Sequence, residues 1–266
     1  MKPFLKWAGG KYRIINRILE TLPKGKKLIE PFVGSGAVFL NADFDEYLAA
    51  DTNPDLINLF NQVKAEGHEF IKYAAPLFIP KNNTEIAFYR LREEFNYCID
   101  VRRKAALFIY LNRHCFDGLC RYNSSGKFNV PFGRYKMPAF PTNEIINFCQ
   151  KSKHVTFEIA DFNATMNKAD AGSVVYCDPP YAPLTPTANF SSYTKDGFDS
   201  SQQKMLAIRA QELNLRNIPV VISNHDTQYT RSLYSEASIR SFEVQRFISG
   251  NVKNRKKASE LIAVYA

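Results

Sequence analysis

Two short apolar runs, each stopping abruptly at a polar cluster, leave this chain few folds to choose from. Leu28-Ile29-Glu30-Pro31-Phe32 runs into Gly34-Ser35-Gly36, and Ser173-Val174-Val175-Tyr176-Cys177 stops at Asp178-Pro179-Pro180-Tyr181. Such runs, bounded by Gly and Pro, read as buried strands with chemistry at their carboxyl ends. Further strands are expected at Tyr47 to Ala50, Val155 to Ile159, Pro219 to Ser223 and Leu261 to Tyr265. Helical patterns fall between them, notably Ser201 to Leu215, and Ala37 to Asn41 reads as a helix start. This alternation predicts an α/β fold with a mixed, mostly parallel sheet and helices on both faces.

The stretch from 54 to 148 breaks that rhythm. It offers helices at Thr84 to Tyr97 and Arg102 to Arg113, then a Gly-punctuated aromatic segment in which Asn123-Ser124-Ser125-Gly126-Lys127 reads as a hairpin turn. Residues 1–53 and 149–266 are therefore expected to form the core domain and 54–148 an insertion that meets the partner. Lys plus Arg number 35 against 26 Asp plus Glu, a net charge of +9. Between Arg102 and Lys136 lie Arg102, Arg103, Lys104, Arg113, Arg121, Lys127, Arg134 and Lys136 against a single acid, Asp117, and five more basic residues fall between Arg246 and Lys257. Rings interleave with the first group (Phe108, Tyr110, Phe116, Tyr122, Phe128, Phe132, Tyr135), a combination suited to neutralising phosphates and stacking on bases. A solvated helix face followed by an ordinary loop is the alternative.

No apolar run approaches the roughly 20 residues needed to cross a bilayer, and Met1 to Lys6 lacks the apolar stretch of a secretory leader. A soluble intracellular protein is expected. The five cysteines contain no C-x-x-C pair and the four histidines show no ligand spacing, so neither a disulfide framework nor a metal site is expected.

Asp178-Pro179-Pro180-Tyr181 is the most specific signal, since a given tetrapeptide is expected by chance only about 0.002 times in such a chain. Two prolines remove two N–H donors, leaving a carboxylate, carbonyls and a ring that accept hydrogen bonds and stack. That set suits an exocyclic amino group on a planar base; a rigid turn closing a strand is the competing reading. Glu30-Pro31-Phe32-Val33-Gly34-Ser35-Gly36 lies where a backbone can approach a ligand closely. Asp51, ending the next expected strand, is placed to bind ribose hydroxyls. The spacing is not G-x-G-x-x-G and bulky Phe39 follows, so a nicotinamide cofactor fits poorly. Lys6-Trp7-Ala8-Gly9-Gly10-Lys11 holds the only Trp and is not a P-loop; an N-terminal turn with Trp7 as a core anchor explains it equally well. Cys177 beside Asp178 has no assignable base and reads as a core thiol.

In their order, Lys6 to Lys11, Glu30 to Gly36, a basic insertion and Asp178 to Tyr181 resemble the Dam-type DNA adenine-N6 methyltransferases of the D12 class. The resemblance spans essentially the whole chain. It extends to Leu111-Asn112-Arg113, Gly118 to Asn123, Phe128 to Tyr135, Ala188-Asn189-Phe190 and Ile222 to Asp226. It implies a Rossmann-like S-adenosylmethionine-dependent methyltransferase domain with 54–148 as target-recognition domain. Trp7, Lys11, Phe32, Gly34, Gly36, Asp51, Asp161, Phe162 and Asp178 would serve the cofactor, with no metal. Asp178, Pro179, Pro180 and Tyr181 would form the catalytic motif around a flipped-out adenine.

Double-stranded DNA is the implied partner. Leu119 and Arg121 match the recognition hairpin and imply GATC, with Arg134 beside them, while Lys6, Arg92, Asn123 and Tyr135 resemble phosphate or base contacts. Phe116-Asp117 replaces the Tyr-Asn often found in relatives, putting a negative charge beside DNA. A monomer in the bacterial cytoplasm, on the nucleoid when bound, is expected. The alternatives are an N4-cytosine or RNA adenine methyltransferase, or a catalytically silent DNA-binding protein on the same scaffold.

Overall fold

The computed structural model describes residues 1–183, 198–245 and 257–266. The matched segment Ala188 to Phe190 and the basic stretch 246–256 lie outside the described residues. Seven strands form one mixed sheet in the order β3-β2-β1-β4-β5-β7-β6. They are β1 (Lys27–Glu30), β2 (Glu46–Asp51), β3 (Val155–Ile159), β4 (Ser173–Cys177), β5 (Val220–His225), β6 (Ser238–Gln245) and β7 (Lys257–Tyr265). β1 runs parallel to both β2 and β4, and β4 parallel to β5, while β7 is antiparallel to β5 and β6. With Ile29 opposite Val175 and Cys177 opposite Ile222, the segments after β1, β4 and β5 leave the sheet at the same edge.

The chain divides into two compact units: residues 1–15, 33–43 and 51–159, and residues 16–32, 44–50 and 160–266. The first unit is dominated by α2 (Pro54–Glu66), α3 (His68–Ala74), α4 (Glu85–Tyr97), α5 (Val101–His114) and α6 (Thr142–Lys151); the short α1 (Ile15–Leu19) begins at its edge. Local chemistry sets where these helices begin. Asn53 caps α2 ahead of Pro54, Thr84 Oγ1 accepts from Ala87 N at 3.2 Å, and Asp100 Oδ1 accepts from Arg103 N at 2.6 Å. Phe4, Phe39, Phe60, Phe148 and Phe157 interlock at centroid distances of 4.9 to 5.8 Å and form one of its cores.

In the second unit the interior is built on the strands. Ile29, Val175, Cys177, Val220, Ile222 and Leu261 pack with Leu206, Ala210 and Leu213 of α8 (Ser200–Asn214) and with Met166 of α7 (Phe162–Met166). α9 (Gln228–Leu233) starts at a capping box made by Thr227 and Thr230. No helix among the described residues is long and apolar enough to cross a membrane.

One expectation needs correction, and one strand was missed. Residues 37–41 form successive turns rather than a regular helix, with Leu40 N bonded to Gly36 O at 3.2 Å and Ala42 N to Val38 O at 2.8 Å. β6 was not anticipated, because Ser238-Ile239-Arg240-Ser241 lacks a strong apolar alternation and gains its pairing from β7.

Candidate active site

In the first unit the N-terminal loop, the glycine turn and Asp51 come together. Gly34 N donates to Asp51 Oδ2 at 3.2 Å and Asn53 N to Asp51 Oδ1 at 3.0 Å. Burial raises the Asp51 pKa above the usual carboxylate value, and the neighbouring backbone N–H groups oppose that shift. Gly34 has φ +47°, and a Cβ there would come within 2.8 Å of the Trp7 indole Nε1. The glycine is therefore needed by the chain's own packing, and Trp7 covers the turn. Gly36 has φ +77°, and its Cβ would meet the Phe39 ring at 2.3 Å. Lys11 is buried, with Nζ bonded to Gly9 O at 2.5 Å, which closes the N-terminal loop on itself.

In the second unit two of the expected cofactor residues meet. Phe32 stacks on Phe162 at 5.7 Å and 18°, and Phe198, which sequence reasoning missed, stands edge-on to both rings at 5.5 Å. Asp161 is exposed and N-caps α7, accepting from Ala164 N at 2.7 Å. Within the first unit Asp51 offers carboxylate acceptors, and within the second Phe32 and Phe162 offer flat aromatic faces.

Asp178 to Tyr181 leaves the end of β4, whose residues are all buried. Gln203 Nε2 of α8 donates to Pro180 O at 2.8 Å, so the carbonyl of the second proline is used internally. The Tyr181 hydroxyl donates to Glu260 Oε2 at 3.2 Å, and its ring stands edge-on to His225 at 4.7 Å. Buried Asn224, at the end of β5, accepts from Ala182 N at 3.0 Å and donates to Gln203 Oε1 and Tyr234 Oη, both at 3.0 Å. His225 Nδ1 lies 2.6 Å from Ala182 O. Asn224, His225, Gln203 and Glu260 brace the turn, and sequence reasoning gave none of them a part. Only Ile222 to Asp226 carried a signal, as a matched segment without a role. Burial, then the charge of Asp178, push the Cys177 thiol up, which keeps it protonated and inert as a nucleophile.

The recognition segment belongs to the first unit. Asn123 N bonds to Lys127 O at 2.9 Å, and Tyr122 and Phe128 form an antiparallel bridge, as the turn predicts. Asn123 Oδ1 accepts from Ser125 N and Lys127 N, so this side chain builds the turn itself. Arg121 Nε donates to Asn129 Oδ1 at 2.8 Å across the hairpin. Arg134 is exposed and at φ 54°, with a 3.4 Å contact to Glu85. Arg92 is held by Val130 O at 3.1 Å and lies over the Tyr89 ring, while Lys6 lies over the Tyr135 ring at 4.2 Å. Tyr135 Oη accepts from Asp117 N at 2.9 Å, and Leu119 is half-buried at the base of the hairpin. Phe116 is 50% exposed and Asp117 sits at φ 53°, a conformation that Asn and Asp tolerate best. An acid at this position thus fits the backbone and places a negative charge there.

In the second unit a Pro-Pro turn follows the central parallel strand β4, and in the first a glycine turn is held to a carboxylate. The family model for D12 class N6 adenine-specific DNA methyltransferases matches residues 7–248, and the chain belongs to that family. It is an adenine-specific DNA methyltransferase, whose family uses S-adenosylmethionine as methyl donor. It is 52% identical over 265 residues to the DNA adenine methylase of Serratia marcescens, covering 99% of this chain and 98% of that protein. The DNA adenine methylase of Escherichia coli strain K12 is 51% identical over 264 residues, with 99% and 95% covered. That of Vibrio cholerae O395 is 47% identical over 265 residues, with 99% and 96% covered. Family membership selects adenine in DNA over the cytosine and RNA alternatives.

Proposed function

We propose that the protein methylates N6 of a flipped-out adenine in GATC sites of duplex DNA. In this reading 1–53 and 149–266 form the catalytic domain, 54–148 is the target-recognition insertion, and the protein works as a monomer on the nucleoid. The observation that carries the proposal is the turn after β4, in which Asp178 and Pro179 are followed by residues braced through Pro180 O, Tyr181 and Ala182. With Pro180 O committed to Gln203, Asp178 and Pro179 O are the acceptors assigned to the two amino hydrogens of the base.

Adenine N6 is a poor nucleophile because its lone pair is delocalised into the ring. Two hydrogen bonds to its amino hydrogens favour a tetrahedral nitrogen and direct the lone pair out of the plane, and Tyr181 holds the face of the ring. Extruding the base from the stack costs a few kcal/mol, which binding to the insertion offsets. When bound, S-adenosylmethionine supplies a methyl carbon already activated as a sulfonium. Asp51 would hold the ribose, Phe32 and Phe162 the adenine, and Trp7, Lys11, Gly34, Gly36 and Asp161 the surrounding loops. Positioning supplies much of the remaining catalysis, so no metal is required.

Leu119 and Arg121 are assigned to site recognition, and Lys6, Arg92, Phe116, Asp117, Asn123, Arg134 and Tyr135 to the surrounding DNA surface. Incubation with S-adenosylmethionine and unmethylated DNA carrying GATC and scrambled sites, followed by nucleoside mass spectrometry, tests the reading. N6-methyladenine confined to GATC is expected. Methylation at scrambled sites to the same extent refutes the target sequence.

A further inference from the structure

The recognition hairpin and Asp51 are joined by side chains that the reaction itself does not use. Asn53, whose backbone N–H binds Asp51 Oδ1, works in two directions. Its Oδ1 caps α2, accepting from Asp55 N at 3.0 Å and Leu56 N at 3.2 Å, and its Nδ2 donates to Cys120 Sγ at 3.5 Å. Tyr122 Oη donates to Asp55 Oδ2 at 2.8 Å, and the other oxygen of Asp55 pairs with Lys104 of α5 at 2.9 Å. The start of α2 thus grips both neighbours of Arg121 in the chain.

Alternate residues of an extended segment face opposite sides. Holding Cys120 and Tyr122 against α2 therefore sets the side from which Arg121 projects, and Arg121 bonds instead to Asn129 across the hairpin. The grip is partly shielded from water: Cys120 and Tyr122 are half-buried, and burial pushes the Cys120 thiol up to about 12 and the Tyr122 hydroxyl well above its ordinary value. Hydrogen bonds to a carboxylate gain strength in such surroundings.

We propose that Asn53, Asp55 and Tyr122 are positioning residues that couple cofactor binding at Asp51 to the placement of Arg121, so that the loaded enzyme discriminates its DNA site better than the free one. The proposal rests on the assignment of Asp51 to the cofactor and Arg121 to DNA made above. Linkage makes the coupling reciprocal: bound GATC tightens the cofactor, relative to bound scrambled DNA, by the same factor.

The test uses the full chain and sinefungin, an unreactive analogue of S-adenosylmethionine. Fluorescence anisotropy with GATC and scrambled duplexes gives the site preference with and without sinefungin, and the ratio of the two is the coupling factor. In the unmodified protein a factor of about fivefold or more is expected. Tyr122→Phe keeps the ring against Phe128 and loses the hydroxyl; Asn53→Ser keeps the helix cap and loses the amide donor to Cys120. Both are expected to bring the factor towards one, with affinity for sinefungin alone held within about twofold. A merely structural role would lower thermal stability and leave the factor intact, and that result overturns the proposal, as does a factor of one in the unmodified protein. The underlying assignments fail separately: Asp51→Asn with undiminished sinefungin affinity overturns the cofactor role, and Arg121→Ala with undiminished site preference overturns the DNA role.

Discussion

At Asp178 and Arg121 single side chains are proposed to carry separable parts of the function. Asp178 follows the fully buried strand β4 and its turn is braced from α8, β5 and β7, so removing the carboxylate leaves the frame standing. Asp178→Ala is expected to lower kcat by about a thousandfold or more, with an unchanged circular dichroism spectrum and melting midpoint. Single-turnover methyl transfer checks it, and a loss under tenfold would show that the carboxylate does not position the amino group. Arg121 is packed against Asn129 rather than buried in a core, so its loss should spare the fold as well. Arg121→Ala is expected to relax discrimination at one base pair by about 1–3 kcal/mol, read from initial rates on duplexes substituted one position at a time.

Helix α5 carries a titratable group that ties stability to pH. His114 lies wholly buried as the last residue of the helix, stacked on Tyr110 at 4.1 Å, with Nδ1 2.8 Å from Tyr110 O. Its Nε2 is buried without a hydrogen-bond partner among the described residues. Burial, with the charges of Arg113 and Lys6 acting in the same direction, lowers its pKa to about 4 from an ordinary 6.5. The neutral ring is the folded form, so this contribution is fully present above pH 6.5 and is lost as pH falls from there towards 4. The loss amounts to about 3 kcal/mol. His114→Phe preserves the stack and removes the titration, so urea unfolding should show a shallower decline between pH 6.5 and 4 in the variant. Parallel pH profiles for the two proteins would contradict the assignment.

Across the whole molecule, a net charge of +9 makes binding to any DNA electrostatic and sensitive to salt. Arg134 is exposed and weakly paired, as a phosphate contact requires. Arg134→Ala is expected to reduce the slope of log K against log salt by about 1, equally on GATC and scrambled duplexes. A change in preference without a change in slope would mark Arg134 as a base reader instead.

Residue patterning alone determined the strands β1 to β5 and β7, the helices α4, α5 and α8, and the Pro-Pro turn after β4. Those signals are local: a buried strand must be apolar along its length, a cap needs its side chain three residues from its partner, and Pro-Pro restricts its own backbone. The same locality made Ala37 to Asn41 look helical, and only the packing of Gly36 against Phe39 shows why the chain turns there instead. The brace of Asn224, Gln203 and Glu260 behind the turn, the Phe198 ring beside Phe32 and Phe162, and the link from Asp51 through Asn53 to Cys120 were decided by tertiary structure. Each joins residues tens of positions apart through side chains that no spacing rule singles out, and such contacts exist only once the sheet register and helix packing have brought them together.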